Sequence, residues 1–433
     1  REYDPQLKLF HFDNEPNSRY YAKGWDGKRY ATQFVHLSKV LKAKYPDIRL
    51  GGPVLCWPPA WPPNQKGMPN WYTWDMWTQP FLNIAGDNFD FFDFHTYQGG
   101  VLTPSTLEEI TLLSCEMRRR WNKSKPIMIT EANTTEMTEE QWTDDVQHWN
   151  MRTQPWSRFI LAMLDQPDKI ESVQMHDLMA PAYRVLKYDY TNPASKSPTY
   201  WLYWLFRHTR GSRLVVTQKG ADGVTAFATR RALSNGTESA VILTNDSAAP
   251  REVKATFLAN NSPVAAGVSW ERMYLDSTQG KVLRDSGTGA TVVIPPGGIA
   301  VAFTSLSRNV PPVRLTRERV ESCGKSVMNK FSGVGSTVSI PIRVVSDFKR
   351  SATEARVRIG VLGSETGDEI RLTVNGETHM LQAGTYFQEV KLRKIPTGKQ
   401  TLTFRLIKGG TFPGLRISCA TIVLERRVDG SRL

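Results

Sequence analysis

Two short segments carry residues suited to cleaving a bond between sugars. They are HFDNEPN at residues 11–17 and IMITEAN at residues 127–133. Each closes an apolar run with a glutamate, and Glu15 and Glu131 stand 131 − 15 = 116 positions apart. If both runs are strands, both carboxylates sit at strand carboxy ends, where barrel enzymes build their sites. Two carboxylates meeting in one pocket suit glycosidic cleavage. One protonates the leaving oxygen while the other attacks the anomeric carbon. Retention of configuration needs ~5–5.5 Å between the two carboxyl groups. Repulsion at that range raises one pKa and keeps the acid protonated near neutral pH. Alternation along the first run puts His11, Asp13 and Glu15 on one face, and Pro16 ends the ladder. A strand-end glutamate alone is more often a surface or ion-pair residue. The pair, with two strands between them, points to catalysis.

The elements that must position these residues alternate. Residues 7–12 read as a strand and 28–44 as a helix with apolar Phe34, Val35, Leu37, Val40 and Leu41. Strands are expected at 48–52, 88–97, 126–130 and 172–178, and helices at 105–120, 139–166 and 198–208. Ser105 fits an N-cap, with Glu108 completing a capping box. Such alternation predicts a parallel sheet or barrel. Five strands are legible where a closed (β/α)₈ barrel needs eight over ~250 residues, so an N-terminal half-barrel is expected to be missing from this chain.

Beyond residue 210 the pattern turns to short, turn-punctuated β segments, which predicts sandwiches. Asn309-Val310-Pro311-Pro312 reads as a linker. Asn375-Gly376 between two apolar runs is a hairpin signal. The expected class is therefore α/β plus all-β. A partial (β/α)₈ TIM barrel at 1–210 precedes two antiparallel β-sandwich domains, at 211–306 and 307–433.

Other residues join the candidate site. Asp93, His95 and Tyr97 alternate on the strand before Glu131. They line a pocket or are satisfied core residues. His176 and Asp177, in the last barrel strand, carry the same two readings. The loop at 57–77 holds Trp57, Trp61, Trp71 and Trp74 among prolines. These are candidate sugar-stacking residues on a stiff loop, or a small core packing that loop. Trp201, Tyr203 and Trp204 read as helix packing.

The segments FHFDNEPN, GGPVLCW, FDFHTYQGG, IMITEANTTE and PTYWLYWLFRHTRGSR resemble glycoside hydrolase family 86, the β-agarases and β-porphyranases. That family lies within the large (β/α)₈ clan of retaining glycosidases. The resemblance runs from residue 1 to the end, but the family's first barrel strands have no counterpart here. It implies that Asn14 binds the hydroxyl beside the reacting carbon, that Glu15 is acid/base and that Glu131 is nucleophile. It also implies that His95 and Tyr97 line the pocket, with a tyrosine bonded to the nucleophile. The implied activity is endo-hydrolysis of an agar- or porphyran-type galactan, with no cofactor. Two alternatives remain: a clan relative acting on another β-linked polysaccharide, or an inactive polysaccharide-binding fragment with an incomplete barrel.

Composition narrows the field. The net charge of +13 divides as 0 over residues 1–210 (24 basic, 24 acidic), +2 over 211–306 (9 and 7) and +11 over 307–433 (22 and 11). A basic C-terminal segment suits a polyanion, including a sulfated galactan, or is a solubilising surface. It lacks the motifs of nucleic-acid binding. No apolar run reaches the ~18 residues of a spanning helix, so no membrane partner is expected. There is no GxSxG and no Gly-rich phosphate loop. The seven histidines show no close metal-ligand spacing, so no metal is expected. Cys323 and Cys419 bracket the last segment and form a disulfide or remain two buried thiols. A polysaccharide substrate places the expected site of action outside the cell or in the periplasm.

Overall fold

The computed structural model describes residues 8–429, apart from 20–23, 57–72, 98–101, 167, 178–183, 190–191, 215, 217–221, 260–261, 264–266, 308–314, 346–350 and 411–413. The chain divides into two compact units. One comprises residues 1–133, 162–175 and 319–425, the other 134–161, 176–318 and 426–433.

The first unit contains a curled half-barrel of five parallel strands. They are β1 (Leu9–His11), β2 (Arg49–Leu55), β3 (Phe91–Thr96), β4 (Ile127–Ala132) and β5 (Ile170–Met175), paired in that order. Each strand found here lies within or beside a run read from sequence. β3 is buried along its whole length, which explains its near-continuous apolar run. Gly51 lets β2 approach β3, because a Cβ there would lie 1.9 Å from the Phe91 ring.

Among the described residues, helices that accompany the strands in this unit include α1 (Pro16–Arg19), α2 (Gly27–Lys44), α3 (Gln79–Ala85) and α4 (Leu102–Trp121). Asp26 caps α2, accepting from the Arg29 amide at 2.8 Å. Tyr30, Ala31, Phe34 and Ser38 form its buried face, while Val40 and Leu41 are exposed. The sequence reading put those two in the apolar stripe. The stripe instead follows the i, i+4, i+8 row of Tyr30, Phe34 and Ser38.

The capping box expected at Ser105 and Glu108 is not formed. The described part of α4 already runs from Leu102, and Ser105 and Glu108 are buried inside it. Pro104 is tolerated in the first turn, where backbone N–H groups have no helical acceptor.

The same unit holds a β-sandwich. Its four-stranded sheet runs Thr337–Arg343, Lys399–Lys408, Glu369–Val374, Glu377–Leu381. It faces a sheet built on the long strand Arg416–Asp429 and its neighbour Glu354–Leu362. Val357, Ile359, Leu372, Leu402, Phe404 and Ile422 anchor the core between them. The hairpin signal holds: Val374 pairs with Glu377, with Asn375 at φ 51° and Gly376 at φ 78°. That is the left-handed pair a two-residue hairpin needs.

Buried charges tie this sandwich to the barrel's fifth strand. Lys169 Nζ lies 2.6 Å from Glu321, and Arg358 bonds Glu321 at 2.7 Å and Glu389 at 2.6 Å. The guanidinium of Arg319 bridges Asp165 and Glu425.

Two buried clusters lie between α4 and the sandwich. Cys115 and Cys419 pack with Trp74, Leu112 and Leu362, with Cys323 against them. All four cysteines are free thiols. The disulfide considered for Cys323 and Cys419 is therefore not formed; Cys323 instead packs against the cluster that holds Cys115 and Cys419. The Glu108 carboxyl is also enclosed here, with Gly360 against its Cγ and Ser418 beside it. Burial pushes its pKa up to about 8.

The second unit is built on a six-stranded antiparallel sheet with Gly236–Asn245 and Ile299–Leu306 at its centre. Val241, Leu243, Ile294, Ala300 and Ala302 form its core. Ser197 caps the helix Pro198–Leu205. In that helix Tyr203 bonds Trp156, as helix packing requires, whereas Trp204 is exposed. No described helix is long and apolar enough to cross a membrane.

Candidate active site

Glu15 does not sit in a strand. β1 ends at His11, and the chain then takes left-handed conformations at Asp13 (φ 69°) and Glu15 (φ 53°). The expected alternation of His11, Asp13 and Glu15 therefore fails. Non-glycine residues rarely adopt positive φ, and such strain clusters at functional sites. The Asn14 amide donates to Asp13 Oδ1 at 2.7 Å, and the Glu15 amide to the Val54 carbonyl at 3.1 Å. The second bond fixes the turn against β2. Pro16 then opens α1, whose buried Asn17 accepts from the Cys56 amide at 2.8 Å.

His95 connects the two glutamates. It is fully buried on β3, and its Nδ1 lies 3.0 Å from Glu15 Oε1 and 3.4 Å from Glu131 Oε2. Tyr97, just past the end of β3, donates to Glu131 Oε2 at 2.7 Å. The three facing atoms of Glu15, His95 and Glu131 lie within 4.8 Å of one another. Retaining double displacement uses carboxyl groups ~5–5.5 Å apart. Inversion needs ~6.5–9.5 Å to admit a water. The same trio could ligate a cation, a grouping invisible in the sequence spacing because its members come from three strand ends.

A second layer lies beneath. His11 Nδ1 is 3.0 Å from Asp93 Oδ2, and Thr130 donates to Asp93 Oδ1 at 2.7 Å. The buried Asp93 carboxylate holds the His11 imidazole above its ordinary range, and the charge of Glu131 adds to this. Cys56 sits close enough to Glu15 to feel its charge. Burial first, then that charge, pushes its thiol up to about 12, so it stays protonated.

The structure brings Glu15, His95, Tyr97 and Glu131 together. Sequence reasoning missed Cys56 and Thr130. Thr130 directly precedes Glu131, and Cys56 follows β2 as Glu15 follows β1, so strand-end position was the available signal. Asn14 is half-buried beside Glu15. Trp74 is no stacking residue: it is 3% exposed and packs with Leu112, Cys115 and Cys419. Packing against helix α4 and the sandwich won over solvent presentation. Trp57, Trp61 and Trp71 lie outside the described residues. His176 follows β5, is half-buried and belongs to the second unit.

Residues 6–183 match the family model described as the glycosyl hydrolase catalytic core. The half-barrel thus has the fold of such a core. Solved structures extend the likeness over nearly the whole chain. BuGH86, crystallised with neoagarooctaose, has a TM-score of 0.77 at 17% identity, covering 99% of this chain and 73% of that one. BpGH86A is a β-porphyranase of glycoside hydrolase family 86 from the human gut bacterium Bacteroides plebeius. It gives 0.70 at 13% identity, covering 97% and 79%. A family 51 α-L-arabinofuranosidase from Thermotoga petrophila gives 0.52 at 14% identity over 69% and 66%. No curated protein matches the chain.

Proposed function

We propose that this chain is the catalytic part of a retaining endo-glycoside hydrolase acting on a β-linked galactan of the agar or porphyran type, outside the cytoplasm. The observation that carries the reading is the approach of Glu15 and Glu131 to the single ring nitrogen of His95. The family-86 resemblance of the sequence and the shared fold support the choice of galactan.

In the first step Glu15 gives its proton to the glycosidic oxygen. Glu131 attacks the anomeric carbon from the opposite face, forming a glycosyl ester as the leaving sugar departs. In the second step Glu15, now a carboxylate, takes a proton from water. The hydroxide oxygen displaces Glu131 and restores both residues. The Tyr97 hydrogen bond holds the nucleophile's carboxylate in one rotation. The Nδ1–H of His95 is placed to steady whichever glutamate is negative. The family resemblance supports Asn14 as the residue that binds the hydroxyl beside the reacting carbon.

The test is reducing-end release from agarose and porphyran. It compares the chain, a form extended upstream by three βα units, and the extended form with Glu131→Gln. Release by the extended form that is lost in the variant supports the reading. Failure on both galactans, with cleavage of another β-linked glycan, assigns a clan relative instead. Binding without any cleavage assigns a polysaccharide-binding protein.

A further inference from the structure

The outer face of the four-stranded sheet carries two pairs of opposed cations. Arg371 is the direct cross-strand neighbour of Arg405, and Arg343 of Lys399. All four are exposed. Among the described residues none of them has an ion pair or side-chain hydrogen bond. Like charges directly opposite each other destabilise a sheet. The register cannot slip to relieve them, because the alternate residues Ile342, Ile370, Leu372, Leu402, Phe404 and Leu406 fill the sandwich core.

Nothing on the face neutralises these charges. Among the described residues, the acid that these strands turn outward is Glu369. It lies opposite Lys408, 4.0 Å from its ammonium, and is already matched.

Lys399 and Arg405 are six residues apart on one strand, which sets the two cation pairs ~20 Å apart at ~3.3 Å per residue. Between them runs a row of hydroxyls: Ser339 opposite Thr403, Thr403 opposite Thr373, Thr373 opposite Thr378.

We propose that this face is a non-catalytic binding site for a sulfated polysaccharide. Sulfate esters sit on the two cation pairs, and sugar hydroxyls meet the Ser/Thr row between them. The sparse, separated cations match a polymer with charges spaced along a neutral backbone. Nucleic acid carries a phosphate every ~3.4 Å per duplex strand, far denser than this face. Single strands lean on aromatic platforms, and the outward residues of these four strands include no aromatic ring. The face stands on its own geometry and takes from the hydrolase reading only the choice of galactan as probe.

The experiment is affinity electrophoresis of the full chain carrying Glu131→Gln, in gels containing porphyran, desulfated porphyran or agarose. Double-stranded DNA is titrated as a competitor. Porphyran should retard the protein more strongly than the two uncharged galactans, and added salt should remove the difference. Arg371→Ser with Arg405→Ser, or Arg343→Ser with Lys399→Ser, should weaken binding at least tenfold. The charge-conserving Arg371→Lys with Arg405→Lys should retain it. Melting temperatures of the serine variants should equal or exceed the parent's, since repulsion is removed.

An excess retardation by porphyran over agarose that survives in a chain with all four serines overturns the proposal. So does absence of that excess in the parent, or DNA competing as well as porphyran by mass. Because binding is read without hydrolysis, its loss counts against this face alone. Intact retardation with no hydrolysis by the upstream-extended form counts against the hydrolase reading alone.

Discussion

Tyr97 donates its hydroxyl hydrogen to Glu131 Oε2 across 2.7 Å. A bond to a charged acceptor contributes ~1.5–3 kcal/mol. In the proposed mechanism the phenol also limits rotation of the carboxylate that attacks the anomeric carbon. Tyr97→Phe should therefore lower kcat roughly 10- to 100-fold while leaving the far-ultraviolet circular dichroism unchanged. A variant with full kcat would remove Tyr97 from the machinery.

Glu108 is protonated in the fold up to about pH 8, against an ordinary value of 4.5. Between those values the native state holds a proton that the unfolded chain releases. Stability should thus fall as pH rises from about 4.5 to about 8 and level off above. The size is on the order of a few kcal/mol. Glu108→Gln should match the parent near pH 4.5 and exceed it at pH 8. Denaturation midpoints at the two pH values measure this. A difference that does not change with pH would contradict it.

His148, in the second unit, slopes the other way. Its ring is enclosed, with Nδ1 at 3.2 Å from the Trp142 carbonyl and Nε2 at 3.0 Å from Thr199 Oγ1. Burial lowers its pKa from 6.5 to about 4. The unfolded chain takes the proton first, so this contribution is complete above pH 6.5 and lost as pH falls toward 4. His148→Gln should flatten that acid limb in a melting-temperature profile. An unchanged limb would assign it to other groups.

Arg358 sits between Glu321 and Glu389, 2% exposed, in the network that joins the sandwich to Lys169. Removing one partner of a buried ionic group costs ~3–5 kcal/mol. Arg358→Met should lower the urea midpoint accordingly. Restoring neutrality with Glu321→Gln in the same chain should recover part of the loss.

Glu15, His95 and Glu131 are close enough to hold a cation. The double displacement proposed above uses none. Hydrolysis should survive exhaustive chelation with unchanged kcat/KM. Loss on chelation, restored by one divalent ion, would transfer the chemistry to that ion.

The strands and the carboxylate pair were legible because periodicity and strand-end position are local properties. Phe91 to Thr96 announces a buried strand by its run of apolar residues, and Asn375-Gly376 announces its turn by backbone chemistry. What was hidden depends on contacts across the chain. Nothing near Ser105 reveals that the helix starts a turn earlier. Trp74 looked like a sugar platform because a solvent-facing tryptophan and a packed one share one letter. Its neighbours Leu112 and Cys419 lie 38 and 345 positions away. The left-handed turn at Asp13 and Glu15 was also silent, since neither residue is glycine.

Helix α4 offers no fully dry face to one partner and no fully wet face to solvent. Residues from Leu102 to Met117 are nearly all enclosed, with the sandwich strands Glu354–Leu362 and Phe387–Lys391 against it. The C-terminal sandwich is therefore not a portable module in the engineering sense. A chain cut after residue 318 would present Glu108, Cys115 and Leu112 to water on a surface never selected for solubility. Grafting that sandwich onto another enzyme would transplant the complementary scar. The half-barrel and its sandwich share one buried seam.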